Sequence, residues 1–170
     1  MSLTAPAGRR QTLTAGFLAI AMAGVVGSAL LFEHVGGYIP CKLCLEQRLP
    51  YYVGAPLMLV AMAASAMRMP GIVVRGLILA GALLMTWGLY LGVYHSGVEW
   101  AWWAGPTDCG AVSGGTNTGG NGVLDALNTV IPPSCDEAAL RILGLSLAGW
   151  NAIAALVLGA IAYWGALSKA

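Results

Sequence analysis

Two cysteines spaced Cys-x-x-Cys stand in the stretch Pro40-Cys41-Lys42-Leu43-Cys44-Leu45-Glu46-Gln47-Arg48-Leu49-Pro50, with an arginine four residues after the second. A disulfide closing so short a ring does little to restrain an unfolded chain, because the entropic gain grows with loop length. The spacing therefore suits thiol exchange better than stapling. If residues 44 to 48 form a helical turn, Arg48 shares a face with Cys44. Its charge, with the amides of a helix start, then favours a thiolate there, and Cys44 is the expected activated sulfur. Pro50 has no N–H to give Glu46 and disfavours helical geometry at Leu49, so this turn can stand apart from the helix that follows.

A second pair, Cys109 and Cys135, is separated by 25 residues. A disulfide there would restrict the unfolded loop by about 3 to 4 kcal/mol in the chain-entropy model, enough for a structural staple. Residues 110–122, with six glycines, instead suit a cysteine that swings between partners, and exchange is the favoured reading. Four cysteines allow three connectivities. A c-type haem site needs histidine directly after the second cysteine, where this chain has Leu45. A structural zinc site would use two close pairs in a reducing compartment, so no metal is expected. There is no phosphate loop, dinucleotide fingerprint or basic nucleic-acid patch.

The elements that must position these cysteines lie in a bilayer. The chain is 58% hydrophobic and 9% charged, with a mean hydropathy of +0.77, too little polar surface for an ordinary soluble domain. Uncharged runs cover 11–32, 49–67, 76–94 and 142–168. Each is near or above the roughly 20 residues needed to cross a hydrocarbon core. The expected fold is an all-α membrane protein, a single four-helix transmembrane bundle over 1–170. Its spans fall near 12–33, 49–67, 74–94 and 142–167, joined by outer loops 34–48 and 95–141. The first run is longer than the 7 to 15 residues of a secretory signal core, so it is read as a span rather than a cleaved leader.

Charge sets the orientation. Arg9, Arg10, Arg68, Arg75 and Lys169 fall in the tails and the inner turn, where there is no acid, against Lys42, Arg48 and Arg141 on the other side. By the positive-inside rule both termini are cytoplasmic and all four cysteines face outward, into a compartment where disulfides persist.

The third span ends in Trp87, Tyr90, Tyr94, His95, Glu99, Trp100, Trp102 and Trp103, mostly the aromatic belt of a membrane interface. His95 is either hydrated among headgroups or a hydrogen-bonding group for a polar ligand lodged between helices. In the second loop, Val123, Leu124, Leu127, Val130 and Ile131 recur at helical spacing before Pro132-Pro133, which predicts a short amphipathic helix on the outer leaflet. Asn151, inside the fourth span, is read as a helix-packing residue rather than a ligand contact.

Four spans, an outer Cys-x-x-Cys followed by arginine four residues on, histidine at the outer end of span three and a second cysteine pair in loop two resemble the bacterial disulfide bond formation protein DsbB family. Tyr94-His95-Ser96-Gly97 and Gly144-Leu145-Ser146-Leu147 are also similar to family members. The resemblance runs over residues 12–168, nearly the whole chain. It implies an inner-membrane thiol:quinone oxidoreductase that reoxidises a periplasmic DsbA-like thioredoxin-fold protein and passes electrons to ubiquinone or menaquinone. On that likeness Cys109 forms the mixed disulfide with the partner, Cys135 completes its pair, Cys41 exchanges with loop two, Cys44 faces the quinone, and Arg48 and His95 contact it. The Glu46-Gln47 pair and the glycine-rich insert depart from the family's best-known member. The DsbA, DsbB and quinone relay is the known means by which a periplasm is kept oxidising. DsbA is itself strongly oxidising, at about −120 mV, so its reoxidation needs a sink of still higher potential, and a quinone in the bilayer is one. The rival readings are a thiol oxidoreductase of the vitamin K epoxide reductase type, a paralogue with a dedicated substrate, and a non-enzymatic tetraspan protein whose disulfides only staple its loops.

Overall fold

A computed structural model describes residues 7–106, 135–136 and 138–168. Four helices long and apolar enough to cross a membrane make up nearly all of it: α1 (Arg9–His34), α2 (Lys42–Ala66), α3 (Gly71–Glu99) and α4 (Leu147–Leu167). A two-residue hairpin, β1 (Arg141–Ile142) with β2 (Leu145–Ser146), precedes α4. The helices form a ring in which α1 packs on α2 and α4 and α3 packs on α2 and α4, while α1 barely touches α3 across the diagonal. The α3–α4 seam is the most extensive of the four and the α1–α4 seam the least.

Burial follows the solvent that the sequence implies. Leu18, Met22, Met58, Ile78 and Met85 fill the centre together with Ala15, Ala82, Ala155 and Ala162. The outside is apolar too: Phe17, Ile20, Leu59, Leu83 and Leu156 are all more than half exposed. Such a surface is stable in lipid rather than water, and small residues let the backbones approach where apolar side chains gain nothing by turning inward. At Gly92 a Cβ would lie 3.0 Å from the N, Cα and Cβ of Ala152, so α3 and α4 meet there backbone to backbone. Gly92→Leu is expected to force the helices apart and cost about 1–3 kcal/mol or more. Thermal unfolding in detergent, followed by loss of helical circular dichroism, reads the effect.

The helices differ from the expected spans at their cysteine-bearing ends. α2 starts at Lys42, so only residues 35–41 connect it to α1. It also runs through Pro50 and Pro56 without interruption, so the turn carrying Cys44 and Arg48 is part of the long helix. The missing hydrogen bond is tolerated because Pro50 is fully buried, its ring facing Gly88 of α3, and neighbouring helices hold the backbone in place. α3 continues to Glu99, one turn past the expected boundary, which places His95 inside a helix and buries it. Ahead of α4 the chain turns sharply, with Leu143 and Gly144 both at positive φ (54° and 84°), the conformation of a two-residue hairpin turn. Ser146 then caps α4, its hydroxyl accepting from the Gly149 amide. The similar-looking Gly144-Leu145-Ser146-Leu147 is thus a turn and helix start. The expected amphipathic helix over 123–131 lies outside the described residues, as do the glycine-rich stretch and Cys109.

Candidate active site

The Cys-x-x-Cys opens α2. Cys41 is the N-cap, in extended geometry, and its sulfur accepts a 3.2 Å hydrogen bond from the Cys44 amide, in the way a serine or aspartate oxygen caps a helix. Both cysteines are free thiols. The exposed amides and the dipole of the first turn favour negative charge at this end. The Cys41 thiol is held well above its ordinary range, first by its hydrogen bond to the Cys44 sulfur and then by burial. A single proton shared by the two sulfurs therefore stays on Cys41.

The two sulfurs face different surroundings. Cys41 is buried in a small cluster with Leu43, Val98 and Cys135, against which Cys44 and Tyr94 pack. Cys135 is disulfide-bonded; since Cys41 and Cys44 are free, neither is its partner. Cys44, but not Cys41, lines a cavity of about 470 Å³ between the outer ends of the helices. Val25, Ala29 and Phe32 of α1 and Leu147, Ala148 and Ala154 of α4 form most of its apolar wall, and Cys44, Gln47, Arg48, His95 and Asn151 supply its polar groups. The cavity thus lies along the thin α1–α4 seam.

Arg48 reaches this cavity one turn after Cys44. It is not an isolated charge: its guanidinium forms an ion pair with Glu33 at the end of α1, both side chains being largely buried.

His95 comes in from α3. Its Nε2 lies 3.7 Å from the Cys41 sulfur and 3.8 Å from Oε1 of Glu99, one turn further along the same helix. Its Nδ1 lies 2.6 Å from Nε2 of Gln47, whose Oε1 accepts a 2.7 Å hydrogen bond from Nδ2 of Asn151 on α4. The backbone of Cys135 is a further hydrogen-bond partner of the ring, and the Ser146 side chain bonds Glu99. Gln47 and His95 are both at least 95% buried, so these contacts are strong and costly to leave unmade. His95 is thus buried rather than hydrated among headgroups.

Of the six site residues expected from sequence, Cys44, Arg48 and His95 converge on the cavity. Cys41 and Cys135 meet just beside it. Cys109 lies outside the described residues. Gln47, Asn151, Glu33 and Glu99 were not expected there. The polar signal at Asn151 was visible, but its partner is 104 positions away. The ligating atoms of Cys41, Cys44 and His95 lie within 4.8 Å of one another. The two sulfurs can thus reach each other with modest side-chain rotation, and the same donor set would suit a soft metal ion.

Comparison with known proteins places this arrangement in context. No curated protein and no solved structure matches the chain. The family model described as disulfide bond formation protein DsbB matches residues 10–165, a stretch that takes in all four helices, the Cys-x-x-Cys, Arg48 and His95. With four membrane-spanning helices and a free dithiol at one end of the bundle, the chain belongs to the DsbB family of disulfide bond formation oxidoreductases.

Proposed function

We propose that the protein is a thiol:quinone oxidoreductase that takes electrons from a DsbA-like periplasmic thioredoxin-fold protein and delivers them to a membrane quinone. The observation that carries this reading is the division of the Cys-x-x-Cys: Cys44 lines an apolar cavity and Cys41 packs against Cys135. One sulfur thus faces an apolar cavity and the other faces Cys135.

The cavity suits a quinone. Its wall is mostly apolar and belongs to helices apolar enough to border lipid, and a few polar side chains stand among it, as orientation of an apolar ring with carbonyl groups requires. Arg48 would hold a carbonyl oxygen, with His95 and Cys44 beside the ring. A quinone held there accepts two electrons and two protons. The chain's own part is to pass them on. Loop two, through Cys109, exchanges with the partner and becomes a dithiol with Cys135. Cys41 then exchanges with loop two, restoring that disulfide and leaving Cys41 and Cys44 reduced. Closing the Cys41–Cys44 disulfide again releases two electrons and the proton held on Cys41. Arg48 favours the thiolate at Cys44 throughout, and the apolar wall keeps water from the sulfurs. A protein whose disulfides only staple loops has no use for two free thiols beside an arginine and a histidine.

The central experiment supplies the purified protein in lipid nanodiscs with a reduced DsbA-like protein and a quinone. Stoichiometric quinol formation, absent when partner or quinone is omitted, is the expected result; partner oxidation without quinol would sink the proposal.

The orientation follows from the charge bias: we place both termini in the cytoplasm of a bacterial inner membrane and the cysteines in the periplasm. Single cysteines introduced at Met69 and at Ser168, with native thiols blocked, are expected to resist a membrane-impermeant maleimide in intact cells. Both are expected to label after permeabilisation. Labelling of Met69 from outside would reverse the topology.

A further inference from the structure

We propose that Gln47 and Asn151 are positioning residues that hold His95 as the neutral tautomer protonated on Nε2, making the imidazole a hydrogen-bond donor toward the Cys41 sulfur. The inference rests on the thiol:quinone reading for its consequence in turnover, and on geometry alone for the tautomer.

The geometry runs from both ends. On one side, Nε2 faces the Glu99 carboxylate at 3.8 Å and the Cys41 sulfur at 3.7 Å, a sulfur already accepting from the Cys44 amide. Both neighbours present acceptor atoms, a sulfur and a carboxyl oxygen, so the ring nitrogen facing them is placed to carry the hydrogen. On the other side, Asn151 Nδ2 donates to Gln47 Oε1, which turns the Gln47 amino group toward His95 Nδ1 at 2.6 Å. A donor at that distance requires Nδ1 to be an acceptor, without a hydrogen. Reversing both amides would demand a hydrogen on Nδ1 and leave a bare Nε2 lone pair facing the carboxylate. The two ends agree on one arrangement, whose side chains come from three helices: Asn151 from α4, Gln47 from α2, and His95 and Glu99 from α3.

The chemical consequence is a fixed direction. Held this way, His95 cannot take the Cys41 proton through Nε2, which already bears one. It can hydrogen-bond a Cys41 thiolate while that sulfur exchanges with loop two. Protonating Nδ1 would set it against the Gln47 amino group, so the relay also opposes formation of the imidazolium. Among the described residues, the charged and titratable groups near the ring are Cys41 and Glu99 at Nε2, with Cys44 beside Cys41, Arg141 acting on Glu99, and the Arg48–Glu33 pair lining the same cavity.

Asn151→Asp is the decisive variant. A carboxylate at 151 can only accept, so Gln47 must turn its amino group toward it and its oxygen toward Nδ1, and the hydrogen moves from Nε2 to Nδ1. The full-length protein in nanodiscs without quinone, carrying His34→Gln and ring-15N histidine, reports this directly, because protonated and bare ring nitrogens have well-separated shifts. Wild-type Gln47 and Asn151 are expected to give a protonated Nε2 and a bare Nδ1, Asn151→Asp the inverse, and Gln47→Leu a mixture. In turnover with reduced partner and ubiquinone, Asn151→Asp is expected to slow quinol formation about tenfold while exchange between partner and loop two stays unchanged. A wild-type ring protonated on Nδ1, or the same nitrogen pattern in Asn151→Asp, would overturn the relay. Circular dichroism and the Gln47→Leu variant guard against misfolding as the cause. If the wild-type protein forms no quinol at all, the quinone reading fails, while the nitrogen shifts still decide the tautomer.

Discussion

Cys135→Ser is expected to accumulate a covalent adduct between Cys109 and the thioredoxin-like partner, whereas Cys44→Ser is expected still to take electrons into loop two and to reduce no quinone. This is the largest effect expected, because it separates two half-reactions. A mixed disulfide is released only when a second thiol attacks it, and without the Cys135 sulfur that attack is lost. In Cys44→Ser the Cys41–Cys44 bond cannot form and quinol production falls to background. Non-reducing gels with peptide mapping follow both variants, and an adduct through Cys41 rather than Cys109 would reverse the proposed order of transfer.

The second large effect concerns Arg48. Replacing it with lysine keeps the charge but loses the planar fork that can hold Glu33 and a quinone oxygen at once. Hydrogen bonds to charged groups contribute about 1.5–3 kcal/mol, so Arg48→Lys is expected to raise the quinone KM about 10- to 100-fold, with partner exchange nearly unchanged. Arg48→Met removes the charge and leaves Glu33, whose side chain is only 25% exposed, without its ion-pair partner. That variant is expected to lose stability as well as quinone affinity. Adding Glu33→Gln should restore the stability alone. Recovery of quinone KM in the double variant would assign Arg48 a purely structural role.

Much of the architecture was legible in uncharged runs, because a bilayer leaves few alternatives to a helix and lipid selects for length and apolarity. The same simplicity hid the helix ends. Pro50 argued for a break that the helix does not make, since a neighbouring helix supports the backbone where water would not. The extra turn that buries His95 has no signature in composition, for Ser96, Gly97 and Glu99 are equally at home in a loop. Within the site, Cys41, Cys44 and Arg48 were legible because they lie within eight residues of one another. Gln47 and Asn151 were not, because their importance lies in meeting each other across the bundle. Glu33 was hidden in the same way, its partner Arg48 lying on the next helix.

The thin seam between α1 and α4 bears on how the reaction must be measured. A cavity that borders lipid there is filled by molecules dissolved in the membrane, so the concentration that governs its occupancy is moles per mole of lipid, not moles per litre of suspension. Adding empty vesicles or detergent at constant total quinone dilutes the substrate in its own phase and should lower the rate, although nothing in the aqueous volume has changed. Competitors would follow the same arithmetic, with the potency of a quinone-site inhibitor rising with its partition coefficient. Acyl chains would compete for the same cavity, so lipid composition is expected to act on the rate as a competing solute as well as a solvent.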